Sequence, residues 1–287
     1  MENVRIVEGR RHPVKSCRPE IFSDGSDFPI GPHGSEGDRE FMVVDAEAHE
    51  HRTQRRKMHR GYHPLALVQP TLTSDVLILN APRMSEIHIP LSPEGRAESM
   101  VSIWGDQVRS LLYSEGSDWF SEYLQQHCQL VRKNGPRYIN RSYASAHAEV
   151  SFADRNQIHV ISIATLARFN ELLLPHGLSV SADNFRPNLL LDGCADREEN
   201  DLQSIRIGTV ELRRTVPCKR CEMPGNNPQT AEFHKEILLI LGKHYKPHTD
   251  KPPIFGEQFE VVKFGTVKIG DPVTILEQRS GGWQREF

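Results

Sequence analysis

Apolar positions along the chain change period several times, and each change predicts an element. In the first third, Val4–Ile6, Phe41–Val44, Leu65–Val68, Val76–Leu79 and Ile87–Ile89 form short apolar or alternating runs. Gly, Pro, Asp and Ser separate them, the pattern of small β-strands. Between Ser117 and Leu130 the period lengthens. Trp119, Phe120, Tyr123, Leu124 and His127 recur at three- and four-residue spacing behind Ser117-Asp118. That spacing predicts a helix capped at Ser117 and closing a first domain. The basic stretch Val131–Tyr143 carries Arg132, Lys133, Arg137 and Arg141 with no acid, and reads as a linker or as a loop lining a site.

A second amphipathic helix is predicted over Thr165–Leu174, with Leu166, Phe169, Leu172 and Leu173 on one face. Strand-like runs follow at Asn188–Leu191, Ile205–Ile207 and Val210–Leu212, then a helical run at Phe233–Leu241. The last strands are expected at Val261–Phe264, Thr266–Ile269 and Val273–Leu276. Proline-rich Lys246–Pro253 suits a lid or partner loop, and 280–287 a frayed tail. The pattern as a whole predicts a mainly β, mixed α+β fold. Its expected parts are residues 1–130 and 131–279.

Composition narrows the function classes. The 287 residues carry 35 Lys and Arg against 38 Asp and Glu, a net charge of −3. That balance argues against a nucleic-acid binder while leaving room for a local anion site. No apolar run approaches the roughly 18 residues of a membrane span, and the first residues lack a signal-peptide core. Five cysteines, at 17, 128, 194, 218 and 221, are too few and too unevenly spaced for a secreted disulfide scaffold. A cytoplasmic, reducing location is the expectation.

Candidate chemistry concentrates in a few segments. Cys218-Lys219-Arg220-Cys221 places two cations between two thiols, which favours thiolate, the form that binds soft metals. Without a second such pair it is not a structural zinc site, and two unreactive thiols in a loop is the competing reading. Pro13-Val14-Lys15-Ser16-Cys17, Gly37-Asp38-Arg39 and Thr53-Gln54-Arg55-Arg56-Lys57 combine cations with small polar neighbours, a composition suited to phosphate or to a solvated surface. In Asn184-Phe185-Arg186-Pro187-Asn188 a proline-fixed bend aims an Arg and an Asn. His49, His51, His59 and His63 match no metal-finger spacing and read as solvated, and Trp104-Gly105-Asp106 reads as core and turn.

Taken in order, these segments resemble a known family. With Phe41–Asp45, Ile103–Asp106, Val150–Asp154, Pro217–Cys221, Phe255-Gly256 and Gly265–Val273, the chain is similar to MOSC-domain proteins of the amidoxime-reducing and YcbX-like type nearly end to end. The resemblance implies an N-terminal MOSC-associated β-barrel-like domain and a C-terminal MOSC β-barrel domain. Between them it implies a molybdenum cofactor, molybdenum on molybdopterin. The second Cys of the family motif falls on Cys221 as metal ligand. Lys15, Ser16, Arg39 and Arg186 fall on positions holding the pterin and its phosphate, with Asn188 beside them. Ser162 and Thr165 fall near that phosphate, and the Lys219 backbone is placed to reach the cofactor.

The implied activity is reduction of small N-hydroxylated compounds, amidoximes and hydroxylamines among them, to amidines and amines. Electrons are implied to come from a separate protein, a b-type cytochrome with its flavin reductase or a flavoprotein reductase. The protein itself is expected to be a monomer. The alternative is a cofactor carrier or sulfur-transfer module related to the C-terminal part of molybdenum cofactor sulfurases. The chain departs from the family pattern after Cys221, where Glu222-Met223-Pro224-Gly225-Asn226-Asn227-Pro228 replaces Thr-Thr-Val-Asp-Pro, and at Ile163-Ala164-Thr165, where relatives carry Glu-Ala-Ser.

Overall fold

A computed structural model describes residues 1, 3–48, 63–139, 144, 148–246 and 251–279. Arg55 and its neighbours, His49, His51 and His59, Arg141–Tyr143 and the expected tail 280–287 lie outside the described residues. The first half contains β1 (Arg5–Arg11), β2 (Glu20–Phe22), β3 (Asp27–Gly31), β4 (Gly34–Ser35) and β5 (Phe41–Asp45). Then come β6 (Gln69–Leu72), β7 (Val76–Asn80), β8 (Ile87–Pro90), β9 (Glu98–Ile103), β10 (Asp106–Tyr113), α1 (Ser114–Leu124) and β11 (Cys128–Lys133). The second half opens with β12 (Ile158–Ser162), α2 (Ile163–Leu173), α3 (Ala182–Phe185), β13 (Leu189–Asp192) and β14 (Leu202–Ile207). It closes with β15 (Val210–Lys219), α4 (Lys235–His244), β16 (Ile254–Lys263), β17 (Gly265–Lys268) and β18 (Val273–Gln278). None of the helices among the described residues is long and apolar enough to cross a membrane.

The fold is mainly β, as expected, but its pairing ignores chain order. One sheet of eight strands runs β18-β14-β15-β16-β12-β13-β1-β2, and a four-stranded sheet runs β5-β11-β10-β9. Smaller sheets join β17-β3-β4 and β6-β7-β8. The first strands therefore belong with the last: β1 pairs antiparallel with β13, Gly9 against Leu189, and β3 pairs with β17. Ile6, Phe28 and Ile30 are buried in the same cluster as Leu189, Leu212 and Phe259. A second cluster, with Val14, Phe41, Leu77, Tyr113 and Leu130, fills the first half. Residues 14–16 and 39–41 thus lie where the two cores meet.

Two elements differ from expectation. Leu65–Val68 is not a strand: His63–Leu67 forms a short 3-10 turn that buries Leu65 and Ala66. The first helix starts at Ser114, three residues early, and Ser117 does not cap it. Its hydroxyl instead donates to the Tyr113 carbonyl and accepts from Leu130 N–H, tying helix to strand. Gln125, in the left-handed region at φ 52°, ends the helix. Cys128–Lys133 is thereby released to fill the gap between β5 and β10, so the expected division at residue 130 falls inside β11.

A third cluster supports the site from behind. Phe185 stacks on Phe255 with centroids 3.8 Å apart, and Phe169 packs edge-on against both. Each such pair adds about 0.5–1.5 kcal/mol beyond burial. Gly256 follows Phe255 at φ +80°, and a Cβ there would sit 2.5 Å from both Ile161 Cγ2 and the Val160 carbonyl. Only glycine fits this backbone. Opposite it the β15–β16 register shifts between Pro217 and Lys219. That irregularity re-aims the end of β15, where the thiol pair begins.

Candidate cofactor site

Between the two halves lies a cavity of about 560 Å³. Among the described residues, seven Lys or Arg side chains line it against two carboxylates, those of Asp106 and Asp154. A recess so lined in low-dielectric surroundings carries a positive potential and favours an anionic ligand. Lys15, Ser16, Arg39, Arg186, Asn188, Lys219 and Cys221 are all part of its wall, so residues spread over some 200 positions meet here.

Local structure explains how each is placed. Lys15 and Ser16 turn away from β1 where Lys15 N–H bonds the Phe41 carbonyl at 2.8 Å. Arg39 precedes β5, with its N–H on the His12 carbonyl at 2.7 Å. Arg186 is the C-cap of α3, a single turn held by a capping box between Ser181 and Asn184. Asn188 opens β13, accepting from His159 N–H and donating to the Arg10 carbonyl. Ser16, Arg39, Trp104 and Arg186 have φ of 74°, 51°, 55° and 57°, four of the nine non-glycine residues in this region among those described. Such positions cost about 1–3 kcal/mol each and collect at ligand sites. Here all four face one cavity.

Charges behind the wall hold it in shape. Asp38 pairs with Arg39 and accepts the His12 N–H, and Arg39 Nη2 reaches the Arg186 carbonyl at 3.2 Å. Burial pushes the Asp38 carboxyl up, yet Arg39 and His12 hold it well below the usual carboxylate range. Burial, with Arg186 and Arg39 nearby, lowers His12 and keeps its ring neutral. Arg186 gives Nη1 to the Cys17 carbonyl at 2.7 Å, whereas its Nη2 is buried with no partner among the described residues. Burial and the adjacent Arg39 bring its pKa down to about 10. An unsatisfied buried cation of this kind is costly, and an anion in the cavity would relieve it.

The thiols differ. Cys221 is half-buried on the cavity wall and Cys218 is buried. Cys218 Sγ accepts from Arg220 Nη1 at 2.9 Å and from Gln258 Nε2 at 3.4 Å. Burial raises the Cys218 thiol, but His159 and Arg220 outweigh it and bring the pKa to about 6, so this sulfur is a thiolate at neutral pH. Arg220 also donates Nη2 to the Phe185 carbonyl, coupling the thiol loop to the turn that carries Arg186. Cys17, by contrast, is pushed up by burial to about 12 and stays a thiol.

Ser162 and Thr165 do not join the cavity. Ser162 caps α2 through Thr165 N–H, and both hydroxyls lie against Glu199 Oε2, at 2.9 and 2.8 Å. The donors expected to face a phosphate are already spent on a buried carboxylate, and a second anion there would meet like charge. Glu199 Oε1 has no partner among the described residues, and burial raises the Glu199 pKa. A raised carboxyl stabilises the fold when protonated, fully so below its unfolded value, and that contribution is lost as pH rises through the folded value. Glu199→Gln, which mimics the protonated acid, should therefore flatten the loss of thermal stability between mildly acidic and alkaline pH. A wild-type slope surviving in the variant would assign the pH dependence elsewhere.

Trp104, Arg137, Asp154, His159 and Arg220 also line the cavity. Asp154 pairs with the buried Lys15 ammonium and accepts the Trp104 indole N–H at 2.9 Å, while Arg137 holds the Ser151 carbonyl. Trp104 is 43% exposed, not core. Arg220 lies inside the thiol pair, Arg137 in the basic stretch and Trp104 and Asp154 in segments that carry the resemblance, but local sequence does not mark His159 or say which partner each would meet, since that depends on contacts across the chain.

Comparison with known proteins agrees with this architecture. Residues 3–127 match the MOSC N-terminal beta barrel domain family and residues 147–274 the MOSC domain family. The mitochondrial amidoxime reducing component 2 of Rattus norvegicus is 30% identical over 281 residues, covering 91% of this chain and 80% of that protein. Mitochondrial amidoxime-reducing component 1 of Mus musculus and that of Homo sapiens are each 28% identical over 284 residues, covering 93% of this chain and 81% of theirs. With both halves matched in order and the cavity lying at their junction, the chain belongs to the family of MOSC-domain proteins that includes the mitochondrial amidoxime-reducing components.

Proposed function

We propose that this protein holds a molybdenum cofactor in the cavity and reduces small N-hydroxylated compounds there. One observation supports this above the rest: a half-buried thiol, Cys221, shares a wall with a cationic recess whose Arg186 Nη2 is buried without a partner among the described residues. A thiolate is the soft donor that molybdenum takes, and an unpaired guanidinium N–H is what a pterin phosphate would satisfy. The residues present therefore fit the group. When bound, the cofactor supplies two-electron oxygen-removing chemistry, in which an N–OH compound, two electrons and two protons give the amine or amidine and water.

The chain's own residues then divide the work. Cys221 holds the metal. Lys15, Arg39 and Arg186 neutralise the phosphate, and Ser16 and Asn188 orient the pterin from opposite halves of the molecule. Asp154 keeps the Lys15 ammonium aimed into the recess, and Asp38 does the same for Arg39. The Lys219 backbone, next to the ligand thiol, offers polar groups to the cofactor edge. Ser162 and Thr165 take no part, because Glu199 occupies them. Electrons come from a separate protein, a b-type cytochrome with a flavin reductase or a flavoprotein, since the residues named here bind and orient but do not carry electrons.

The test is molybdenum and pterin content of protein made in a cofactor-competent host, followed by a single turnover. Chemically reduced protein mixed with benzamidoxime should yield benzamidine in amounts matching the bound metal. Bound cofactor with no turnover of any N-hydroxy compound would favour the carrier or sulfur-transfer role. Protein that takes up no cofactor would end both.

A further inference from the structure

We infer that Asn184 is a positioning residue of this site, clamping the segment that carries the Cys221 thiol onto the turn that carries Arg186. The metal's share of this inference rests on the reductase reading, whereas the clamp stands on the fold alone. Asn184 is the third residue of α3 and is buried, at 5% exposure. Its Oδ1 accepts the Ser181 N–H at 2.9 Å, closing the capping box. Its Nδ2 donates to the Pro224 carbonyl at 3.0 Å and to the Asn226 carbonyl at 3.2 Å, both beyond the thiol. On the other side of Cys221, Arg220 donates Nη2 to the Phe185 carbonyl at 2.9 Å. The thiol is thus bracketed along the chain by ties to one turn of helix.

A capping box needs only an acceptor at this position, which Glu or Gln ordinarily supplies. The two amide protons are surplus to the cap, and both are spent on the thiol loop. The orientation of the amide follows from its partners, since a backbone N–H can only donate and a carbonyl only accept. Behind it α3 is held firmly. Phe185 stacks on Phe255, and the Arg186 N–H is on the Ala182 carbonyl at 2.9 Å. The loop needs such a tie. Glu222–Pro228 contains two prolines and a glycine, and its regular structure is one 3-10 turn at Met223–Gly225. A ligand thiol and a phosphate-binding cation serve one cofactor only when their separation is set to within about 0.5 Å. Asn184 joins the two segments that fix that separation.

Hydrogen exchange of the cofactor-free protein and visible absorption of the loaded protein test this together. Asn184→Asp keeps the acceptor for Ser181 and the shape of the side chain, but gives at most one proton to the two carbonyls. The N–H groups of Gly225, Asn226 and His234 are bonded to the carbonyls of Glu222, Met223 and Gly225. In the variant they should exchange about tenfold faster, the scale of one lost hydrogen bond. Amides of α2 and β12 should keep their native rates. In the loaded variant the metal absorption should shift while pterin survives desalting. Ser181→Ala weakens the cap but leaves Nδ2 on both carbonyls, so it should change neither the loop amides nor the absorption. Asn184→Ala answers the same questions if the aspartate variant does not fold. Native exchange at the three loop amides, or an equal rise throughout the chain, would overturn the clamp, as would Ser181→Ala reproducing both changes. Faster loop exchange with unaltered absorption would overturn the positioning role. Native protein that takes up no cofactor removes the reductase reading alone, and loop exchange still decides the clamp.

Discussion

On the proposed function, replacing Cys221 with alanine should abolish N-hydroxy reduction while leaving the fold intact. The thiol is only half-buried and lies outside the apolar clusters of the described residues, so its loss should shift stability by about 0.5 kcal/mol. Under the proposed assignment the variant should still retain cofactor, because Lys15, Arg39 and Arg186 would be left to meet the phosphate. What it should lose is the proposed direct bond to the metal. Loss of an outer-shell partner of a metal ligand already costs about 10–100-fold in metal affinity or activity, and loss of the ligand itself should exceed that. The measurement is turnover per bound pterin together with the visible absorption of the metal centre. Cys218→Ala serves as the contrast. It removes an acceptor for Arg220 and Gln258 and should perturb the site without removing the metal signature. Native turnover in Cys221→Ala would falsify the assignment of the thiolate.

The second large effect divides stability from function at Arg186. Arg186→Met should lose cofactor by about 10–100-fold, the worth of one to two charge-assisted hydrogen bonds. The cofactor-free protein, however, should be no less stable than wild type. In the fold this cation is buried beside Arg39 with Nη2 unpaired among the described residues; burial and Arg39 bring its pKa down to about 10, a shift worth roughly 3 kcal/mol. Against this stands one lost bond to the Cys17 carbonyl, about 1–3 kcal/mol if that oxygen is left unmet. The two nearly cancel, or the variant gains. Because the folded pKa lies below the unfolded one, the penalty applies in full below about 10 and fades only as pH rises past both values. The stability comparison should therefore hold across the neutral range. Unfolding of cofactor-free protein and pterin retention on desalting check the two halves separately. A markedly destabilised variant would show that Arg186 serves the fold and not the ligand.

Much of this site was legible residue by residue. The thiol pair, the cations at 15, 39 and 186 and Asn188 are each marked by local composition, since turns rich in Gly, Pro and Ser are where a chain can present a cation or a thiol. Their common order along the chain carried the family resemblance. The strands at Val76–Leu79, Ile87–Ile89 and Val273–Leu276 were likewise visible, because each buries one face and alternation follows from the pleat. Ser162 and Thr165 lie off the described cavity wall for a specific reason. A hydroxyl before a helix signals a cap, but whether it has donors left for a ligand depends on Glu199, which approaches from 34 residues or more away.

From the sequence alone came the mainly β class and the cationic character of a site in a protein of slightly negative charge, which follow from periodicity and residue chemistry and are local. The choice of Cys221 as candidate ligand thiol rested instead on the family resemblance. Tertiary structure alone decided that β1 and β3 pair with strands of the second half, that Cys128–Lys133 leaves the helical pattern to complete a sheet, and that Trp104 faces a cavity. It also decided which buried charges are met and which, like Arg186 Nη2, are left open. Such outcomes depend on strand partners and side-chain neighbours that are distant in the chain, and only packing determines which donor reaches which acceptor.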